Sequence, residues 1–228
     1  MKTRIIQSKA FVGDAAAIIH ESALDAIAER GIFRLSLCGG NTPKPVYAEL
    51  AKQSLPWDKI QITFGDERCV PPDDDQSNFK MAKQSLFDAI DIPEGNVFRI
   101  RGEIDPETAS LEYEHKLAHV ASRFGESLYA HDLLLLGLGE DGHTASIFPG
   151  SPALNETQRA VIPATGPKPP PQRITFTFPI INAARHVCFL VNGSGKAAMV
   201  DEVVRGNASL PASHVKPASG RLTWLLGS

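Results

Sequence analysis

The sequence predicts an α/β fold in which a mostly parallel sheet is covered by helices on both faces. Short apolar runs alternate with segments of helical periodicity, a pattern typical of βαβ units. Four of the apolar runs end in glycine-rich or charged turns. With 228 residues, 43% of them hydrophobic, the chain can bury a sizeable core, and we expect residues 1–228 to form a single domain.

The predicted elements follow from periodicity and from the residues that stop it. A period of about 3.6 residues indicates a helix, whereas short apolar runs bounded by glycine or charge indicate strands. In chain order the predictions are helix 11–30, strand 33–37, helix 45–53, strand 60–64, helix 79–90, helix 107–124, strand 133–136, strand 173–178, strand 187–191 and helix 197–206. We interpret the proline-rich segment 163–173 as a stiff extended loop inside the domain.

Composition and charge exclude several classes of partner. The net charge of -3 gives no basis for binding nucleic acid or an anionic membrane. No apolar stretch reaches the length of a membrane span, and the first residues lack the apolar core of a signal peptide. The cysteines, Cys38, Cys69 and Cys188, have no CxxC spacing, which favours reduced thiols in a cytoplasmic protein.

Four predicted strands run into turns that are rich in glycine or charge. These turns are GGNTP (39–43), GDER (65–68), GLGEDGH (137–143) and NGSGK (192–196). Ligands of open parallel sheets bind outside the carboxyl ends of the strands. If the four strands are neighbours, all four turns meet in one crevice, which is then the predicted ligand site.

Two of the turns are suited to holding a phosphate. Gly39 and Gly40 allow a sharp turn, and Thr42 precedes a predicted helix whose free N–H groups attract anions. The alternative is a tight turn between strand and helix that binds no ligand. NGSGK lacks two features of a P-loop, because Leu190 stands at its first glycine position and Ala197 follows Lys196. A nucleotide kinase is therefore disfavoured. Lys196 can still reach a phosphate, and a lone surface lysine without a ligand is the alternative.

The turn GLGEDGH matches the spacing of a dinucleotide-binding fingerprint but not its context. Pro149 and Pro152 stop any long helix after it, and Glu140 and Asp141 stand where a pyrophosphate would lie. We therefore interpret the segment as a catalytic loop and predict no nucleotide cofactor. Gly142 lets the chain turn so that Asp141 and His143 face one crevice, and a carboxylate beside a histidine makes it a better base.

The remaining charged motifs are less specific. Asp66 and Arg68 follow a predicted strand directly, where they either pair with each other structurally or take part in function. His115 and His119 have the spacing of zinc ligands, but Lys116 stands where a zinc protease carries its glutamate. We predict no metal site.

Several of these segments together resemble the 6-phosphogluconolactonase family. GGNTP resembles its SGGxTP turn, GDERCVPPDDDQSN resembles DERxVPxxxxxSN, and GLGEDGHTASIFP resembles GxGxDGHxASLFP, with further similarity in 173–197 and 220–226. The resemblance implies a Rossmann-like three-layer fold, shared with glucosamine-6-phosphate deaminases and ribose-5-phosphate isomerases. It implies hydrolysis of a sugar-phosphate lactone without metal or cofactor, in a monomer or weak homodimer.

The resemblance also implies roles for individual residues. His143 would be the general base, Arg68 would face the lactone carboxyl region, and Asp66 and Asp141 would orient His143 or the sugar hydroxyls. The phosphate would be held by Gly39, Gly40, Thr42, Arg173 and Lys196. Cys38 departs from the family, which usually has serine there, so a hydroxyl contact to phosphate is lost or replaced by a weak S–H donor.

Two other functions remain open on sequence grounds. A deaminase or isomerase of the same fold would resemble the chain through DGHxAFNEP, but Phe148 stands where its glutamate would fall. A sugar-phosphate-sensing domain without catalysis would have no use for Asp141 with His143, and the chain has no DNA-binding helix pair.

Overall fold

The structure is a computed structural model that describes residues 2–218 and 220–227. The strands are β1 Lys2–Ser8, β2 Phe33–Leu37, β3 Ile60–Phe64, β4 Asp66–Arg68, β5 Leu133–Leu136, β6 Val161–Thr165, β7 Gln172–Phe176, β8 His186–Asn192 and β9 Arg221–Gly227. The α-helices are α1 Phe11–Arg30, α2 Lys44–Leu50, α3 Asn78–Ser85, α4 Pro106–Ser122, α5 Phe178–Asn182 and α6 Ala197–Val204. Short 3₁₀ turns lie at Trp57–Lys59, Phe87–Ala89, Glu94–Asn96, Pro152–Asn155, Ser194–Lys196 and Pro211–His214.

A parallel sheet of six strands lies between helices on both of its faces, which confirms the predicted fold class. Its strand order is β1-β9-β8-β5-β2-β3. Every residue of β2 and β5 is buried, because a strand inside a sheet covered on both faces meets apolar neighbours on each side. In this strand order the four strands whose turns were predicted to converge are neighbours, in the order β8, β5, β2 and β3.

The predicted helices form with small changes at their ends. Helix α1 ends at Gly31, which adopts a left-handed conformation and donates its N–H to the Ile27 carbonyl, as glycine often does after a helix. Helix α4 is capped at its amino end by Asp105, whose carboxylate accepts the Thr108 N–H. The helix predicted over 79–90 is shorter, because Leu86 leaves helical geometry and only a 3₁₀ turn follows.

A second, antiparallel sheet of three strands has the order β4-β7-β6. The strand predicted over 173–178 is thus not a member of the main sheet, and its last residue belongs to α5. The proline-rich segment 163–173 is also not simply an extended loop, since its two ends pair as β6 and β7. Pro163 is tolerated because β6 is an edge strand, where a missing N–H leaves no neighbour without a hydrogen bond.

The largest buried side chains include Trp224, Tyr47, Tyr129 and Phe33, all within the main core. Trp224 of β9 stacks on Phe189 of β8 with a centroid separation of 3.9 Å. In the ranges 2–218 and 220–227, none of the helices combines the length and apolarity that crossing a bilayer requires.

Candidate active site

A cleft of about 580 Å³ lies at the carboxyl edge of the main sheet, where β3, β2, β5 and β8 all end. Its volume falls in the range of small-molecule sites. All the residues predicted for the site line it: Gly39, Gly40, Thr42, Asp66, Arg68, Asp141, His143, Arg173 and Lys196. Segments far apart in the sequence therefore meet in one place because parallel strands end at the same edge.

The loop after β5 is shaped by two glycines. Gly142 has a φ of +79°, and Gly139 donates its N–H to the His143 carbonyl over 2.8 Å. A Cβ on Gly139 would lie 2.0 Å from Nδ1 of His143, so a side chain at position 139 would displace the imidazole. No long helix follows the loop, which agrees with rejecting the dinucleotide fingerprint.

The imidazole of His143 is held by Asp141. Nδ1 of His143 lies 2.5 Å from Oδ1 of Asp141, which also accepts the His143 backbone N–H over 3.1 Å. Partial burial opposes ionisation of Asp141, but the hydrogen bonds from His143 outweigh it and lower the pKa of the carboxyl. An ionised carboxylate only accepts hydrogen bonds, so Nδ1 carries a proton, and Nε2 is the nitrogen that can act as a base when the ring is neutral. The ring is about one-third exposed, so water can reach it.

Asp66 belongs to a buried network on the other side of the loop. Its Oδ2 accepts the Ser146 hydroxyl over 2.6 Å, and its Oδ1 accepts the Asn78 amide over 3.3 Å. Asp66 therefore orients Ser146 and Asn78, and within the described residues it makes no hydrogen bond to His143. Its neighbour Glu67 caps α3 by accepting the backbone N–H groups of Asn78 and Phe79, and burial raises the pKa of Glu67.

Two arginines lie opposite each other in the small sheet. Arg68 of β4 pairs in register with Arg173 of β7. Arg68 donates to the Gln76 carbonyl and Arg173 to the Lys168 carbonyl, yet neither Nε has a hydrogen-bond partner among the described residues. Burial, and then the charge of Arg68, lower the pKa of Arg173. A negatively charged ligand would relieve both the repulsion and the unsatisfied donors.

The loop after β2 approaches the cleft through its backbone. A Cβ on Gly39 would lie 2.0 Å from the Asn78 amide oxygen, and Gly40 has a φ of +97°, so both positions require glycine. Lys196 approaches from the end of β8 and donates to the Leu138 carbonyl over 2.7 Å. Residues 39–43 of this loop and Lys196 therefore line the same cleft.

Cys38 is buried beneath this loop. The Tyr47 hydroxyl donates to the Cys38 carbonyl over 2.8 Å and accepts its N–H over 3.0 Å. Burial raises the pKa of the Cys38 thiol to about 12, so it stays protonated at neutral pH. The departure from serine therefore leaves an uncharged, weakly polar group at this point of the cleft.

Among the other residues that line the cleft, Asn78, Ser146 and Lys168 carry polar side chains that the sequence predictions did not include. Asn78 and Ser146 lie in the family-like segments 65–78 and 137–149. Their role depends on hydrogen bonds with Asp66, which the spacing of residues in the sequence does not reveal. Lys168 lies in the proline-rich segment, for which only stiffness was predicted.

A second cleft of about 890 Å³ lies between α3 and α4. Its charges are largely paired, for example Lys83 with Asp88 and Arg101 with Glu112. It lacks convergent catalytic groups, so the smaller cleft is the candidate active site. In the part of the chain that the structure describes, no cluster of three histidine, cysteine or carboxylate side chains is placed to hold a metal ion.

An acid–imidazole pair beside several cations, at the carboxyl edge of a parallel sheet, is the arrangement of an α/β enzyme for a small anionic substrate. Residues 7–224 match the family of glucosamine-6-phosphate isomerases/6-phosphogluconolactonase, and the chain belongs to this family.

Individual relatives are similar over most of their length. The chain is 42% identical to a 6-phosphogluconolactonase of Synechocystis over 226 residues, 97% of this chain and 93% of the relative. It is 37% identical to human 6-phosphogluconolactonase over 220 residues, 93% of this chain and 84% of the relative. The crystal structure of 6-phosphogluconolactonase from Thermotoga maritima superposes with a TM-score of 0.88 at 32% identity, covering 100% of both chains.

Proposed function

We propose that the chain hydrolyses 6-phospho-D-glucono-1,5-lactone to 6-phospho-D-gluconate, the second step of the oxidative pentose phosphate pathway. The observation that carries the proposal is the Asp141–His143 pair in the same cleft as Arg68, Arg173 and Lys196. A base beside several cations suits a substrate with a reactive carbonyl at one end and a phosphate at the other. The names of the similar proteins support this substrate.

His143 acts as the general base in this mechanism. Nε2 takes a proton from a water molecule as the water oxygen bonds to the lactone carbonyl carbon, and the carbonyl electrons move to its oxygen. The tetrahedral intermediate then collapses, the bond to the ring oxygen breaks, and the proton on Nε2 passes to that oxygen. Asp141 keeps Nδ1 protonated and stabilises the imidazolium that forms between the two steps.

We assign stabilisation of the oxyanion to Arg68, which lines the cleft with His143 and has an Nε without a partner among the described residues. One well-placed donor of this kind is worth on the order of 10²–10³ in rate. General base catalysis adds about 10²–10⁴. Together they suffice for an activated ester, and the buried, protonated Cys38 is not needed as a nucleophile.

The phosphate is held at the other end of the cleft by Arg173, Lys196 and the backbone from Gly39 to Thr42. A phosphate monoester carries roughly -1.5 to -2 at neutral pH, which two cations and several N–H groups can balance. Asp66, fixed by Ser146 and Asn78, keeps lone pairs for the sugar hydroxyls.

A deaminase or isomerase activity is not favoured. Phe148 occupies the position where the deaminases carry a glutamate, and its ring packs on His143 at a centroid separation of 4.7 Å. The aldose–ketose chemistry therefore lacks the carboxylate it needs. A sensing domain without catalysis would have no use for the ordered Asp141–His143 pair.

One assay tests the proposed function. Purified protein is given 6-phosphogluconolactone or unphosphorylated gluconolactone, and acid release is followed against the spontaneous rate. We expect rapid turnover of the phosphorylated lactone and much lower kcat/KM for the other. Absence of turnover of both lactones, together with exchange of the C2 proton of glucosamine 6-phosphate into solvent in a parallel assay, would favour the isomerase instead.

We also infer that the chain is one domain, that it is a monomer or weak homodimer, and that it works in the cytoplasm. The pairing of β1 with β9, near the two ends of the chain, supports a single domain. The free thiols of Cys38, Cys69 and Cys188 support a reducing compartment.

A further inference from the structure

The hairpin between β6 and β7 carries a rigid tip over residues 166–171. Pairing of Thr165 with Gln172 closes the hairpin, and Gly166 donates its N–H to the Pro171 carbonyl over 2.7 Å. Four of the six tip residues are proline, whose ring fixes φ. The backbone of Lys168, between Pro167 and Pro169, therefore loses little further entropy when a ligand binds.

The tip is anchored on residues of the candidate active site. Arg173 donates from Nη2 to the Lys168 carbonyl over 3.2 Å. A Cβ on Gly166 would lie 3.2 Å from the Phe148 ring and 3.3 Å from Nε of Arg173, so the tip packs closely on both. Because Phe148 packs on His143, the position of the tip is tied to that of the catalytic loop.

The Lys168 side chain is exposed at the cleft and has no partner there. Within the described ranges its ammonium makes no hydrogen bond and no ion pair, whereas Lys196 already donates to Leu138. The side chain is thus available to a ligand without first losing a protein contact.

Lys168 also sets the sign of the charge in the cleft. The charged residues that line it are four cations and three carboxylates: Arg68, Lys168, Arg173, Lys196, Asp66, Glu140 and Asp141. Without Lys168 the cations and the carboxylates would be equal in number. The excess positive charge that Lys168 provides favours the entry of a phosphate dianion into a protein of net charge -3.

We propose that Lys168 binds the phosphate of the substrate together with Arg173, and that it sets the preference for phosphorylated over unphosphorylated lactone. The role rests on the proposed function. An interaction at the phosphate is made equally in the ground state and the transition state, so it lowers KM and leaves kcat unchanged.

The variants Lys168→Gln and Lys168→Arg test the proposal. We expect Lys168→Gln to raise KM for 6-phosphogluconolactone about tenfold, as a charge-assisted contact would, with kcat within about twofold of wild type. Lys168→Arg should restore most of the affinity, and neither variant should change kcat/KM for unphosphorylated gluconolactone. An unchanged KM in Lys168→Gln, or equal losses on both lactones, would overturn the proposal.

Lys59→Gln is the matched control, because Lys59 is exposed at the amino end of β3, at the opposite edge of the sheet. It removes the same charge and should leave KM unchanged. Binding of inorganic phosphate, measured by calorimetry, separates this inference from the proposed function because it needs no turnover. We expect weaker phosphate binding in Lys168→Gln even if the wild-type protein does not hydrolyse the lactone, and equal binding in both proteins would contradict the role of Lys168.

Discussion

At the scale of single residues, the carboxylate of Asp141 determines which nitrogen of His143 is available as a base. Both contacts between the two residues involve the same oxygen, Oδ1, so the ring and the backbone of His143 are fixed together. The pair lies within one short loop, which is why the sequence motif alone could predict it. The contacts of Asp66 with Ser146 and Asn78 join residues 80 and 12 positions apart, and no local pattern could reveal them.

Replacing Asp141 by asparagine should disable the base while leaving substrate binding intact. The amide can donate to Nδ1, which would place the ring proton on Nε2, the wrong nitrogen for catalysis. We expect kcat to fall about 10²-fold with little change in KM, measured by acid release at neutral pH. Glu140→Gln removes the same charge from the neighbouring exposed residue and should keep kcat near that of the wild-type protein; equal kcat values in the two variants would contradict the assignment.

A second residue-scale prediction concerns the buried His131. Its Nε2 lies 2.9 Å from the Thr63 hydroxyl, and burial lowers the pKa of the imidazole to about 3. Below pH 6.5 this histidine is protonated in the unfolded chain but stays neutral in the folded protein. The free energy of unfolding therefore has its full value above that pH and falls as the pH drops towards 3. Between pH 7 and pH 5 this one group should remove about 2 kcal/mol from the free energy of unfolding.

Urea unfolding at the two pH values measures the effect. In His131→Gln the part of the pH dependence due to this group should disappear, whatever the variant's stability at pH 7. His119→Gln, at an exposed histidine of α4, should keep the wild-type dependence. If the free energy of unfolding of His131→Gln changes between the two pH values as much as that of the wild-type protein, the histidine is not held neutral by the fold.

At the scale of elements, the order of the strands brings the site together. Strands β8, β5, β2 and β3 are adjacent and parallel, so the turns that follow them share one edge of the sheet. They were predictable because each is a short run rich in apolar residues that ends in a glycine-rich or charged turn. The small sheet was not predictable in the same way: β4 is the three charged residues Asp66–Arg68, and β6 contains a proline, so neither shows a strand pattern.

The loop after β5 yields a prediction about its glycines. Gly139→Ala would place a methyl group 2.0 Å from the His143 ring, whereas a Cβ on Gly137 meets nothing within 4 Å. Displacing a catalytic group by about 1 Å can cost on the order of 10²-fold in rate, so we expect Gly139→Ala to lower kcat by that order. Gly137→Ala should retain near wild-type kcat with the same lactone, and similar losses in both variants would show that the clash is not the cause.

At the scale of the whole molecule, β1 and β9 join the two ends of the chain. They pair in parallel over seven residues, and β9 also pairs with β8 in the centre of the sheet. The β1 strand was not predicted, because Thr3, Arg4 and Ile5 are exposed at the edge of the sheet and give no buried pattern.

This connection predicts that the chain unfolds as one unit. In a Trp57→Phe variant the remaining tryptophan, Trp224, reports on β9 through fluorescence, while far-UV circular dichroism reports on all helices and strands. We expect the two signals to give one coincident transition in urea, as single domains do. Two separate transitions, with Trp224 changing at a different urea concentration from the helices, would contradict a single domain.

We propose that His143 removes a proton from water in a cleft that binds the substrate through its phosphate. Steady-state kinetics of His143→Ala with 6-phosphogluconolactone tests it most directly. The structure predicts a fall in kcat of about 10² or more with KM close to that of the wild-type protein, because the phosphate contacts remain. A variant that keeps near-normal kcat would contradict the claim.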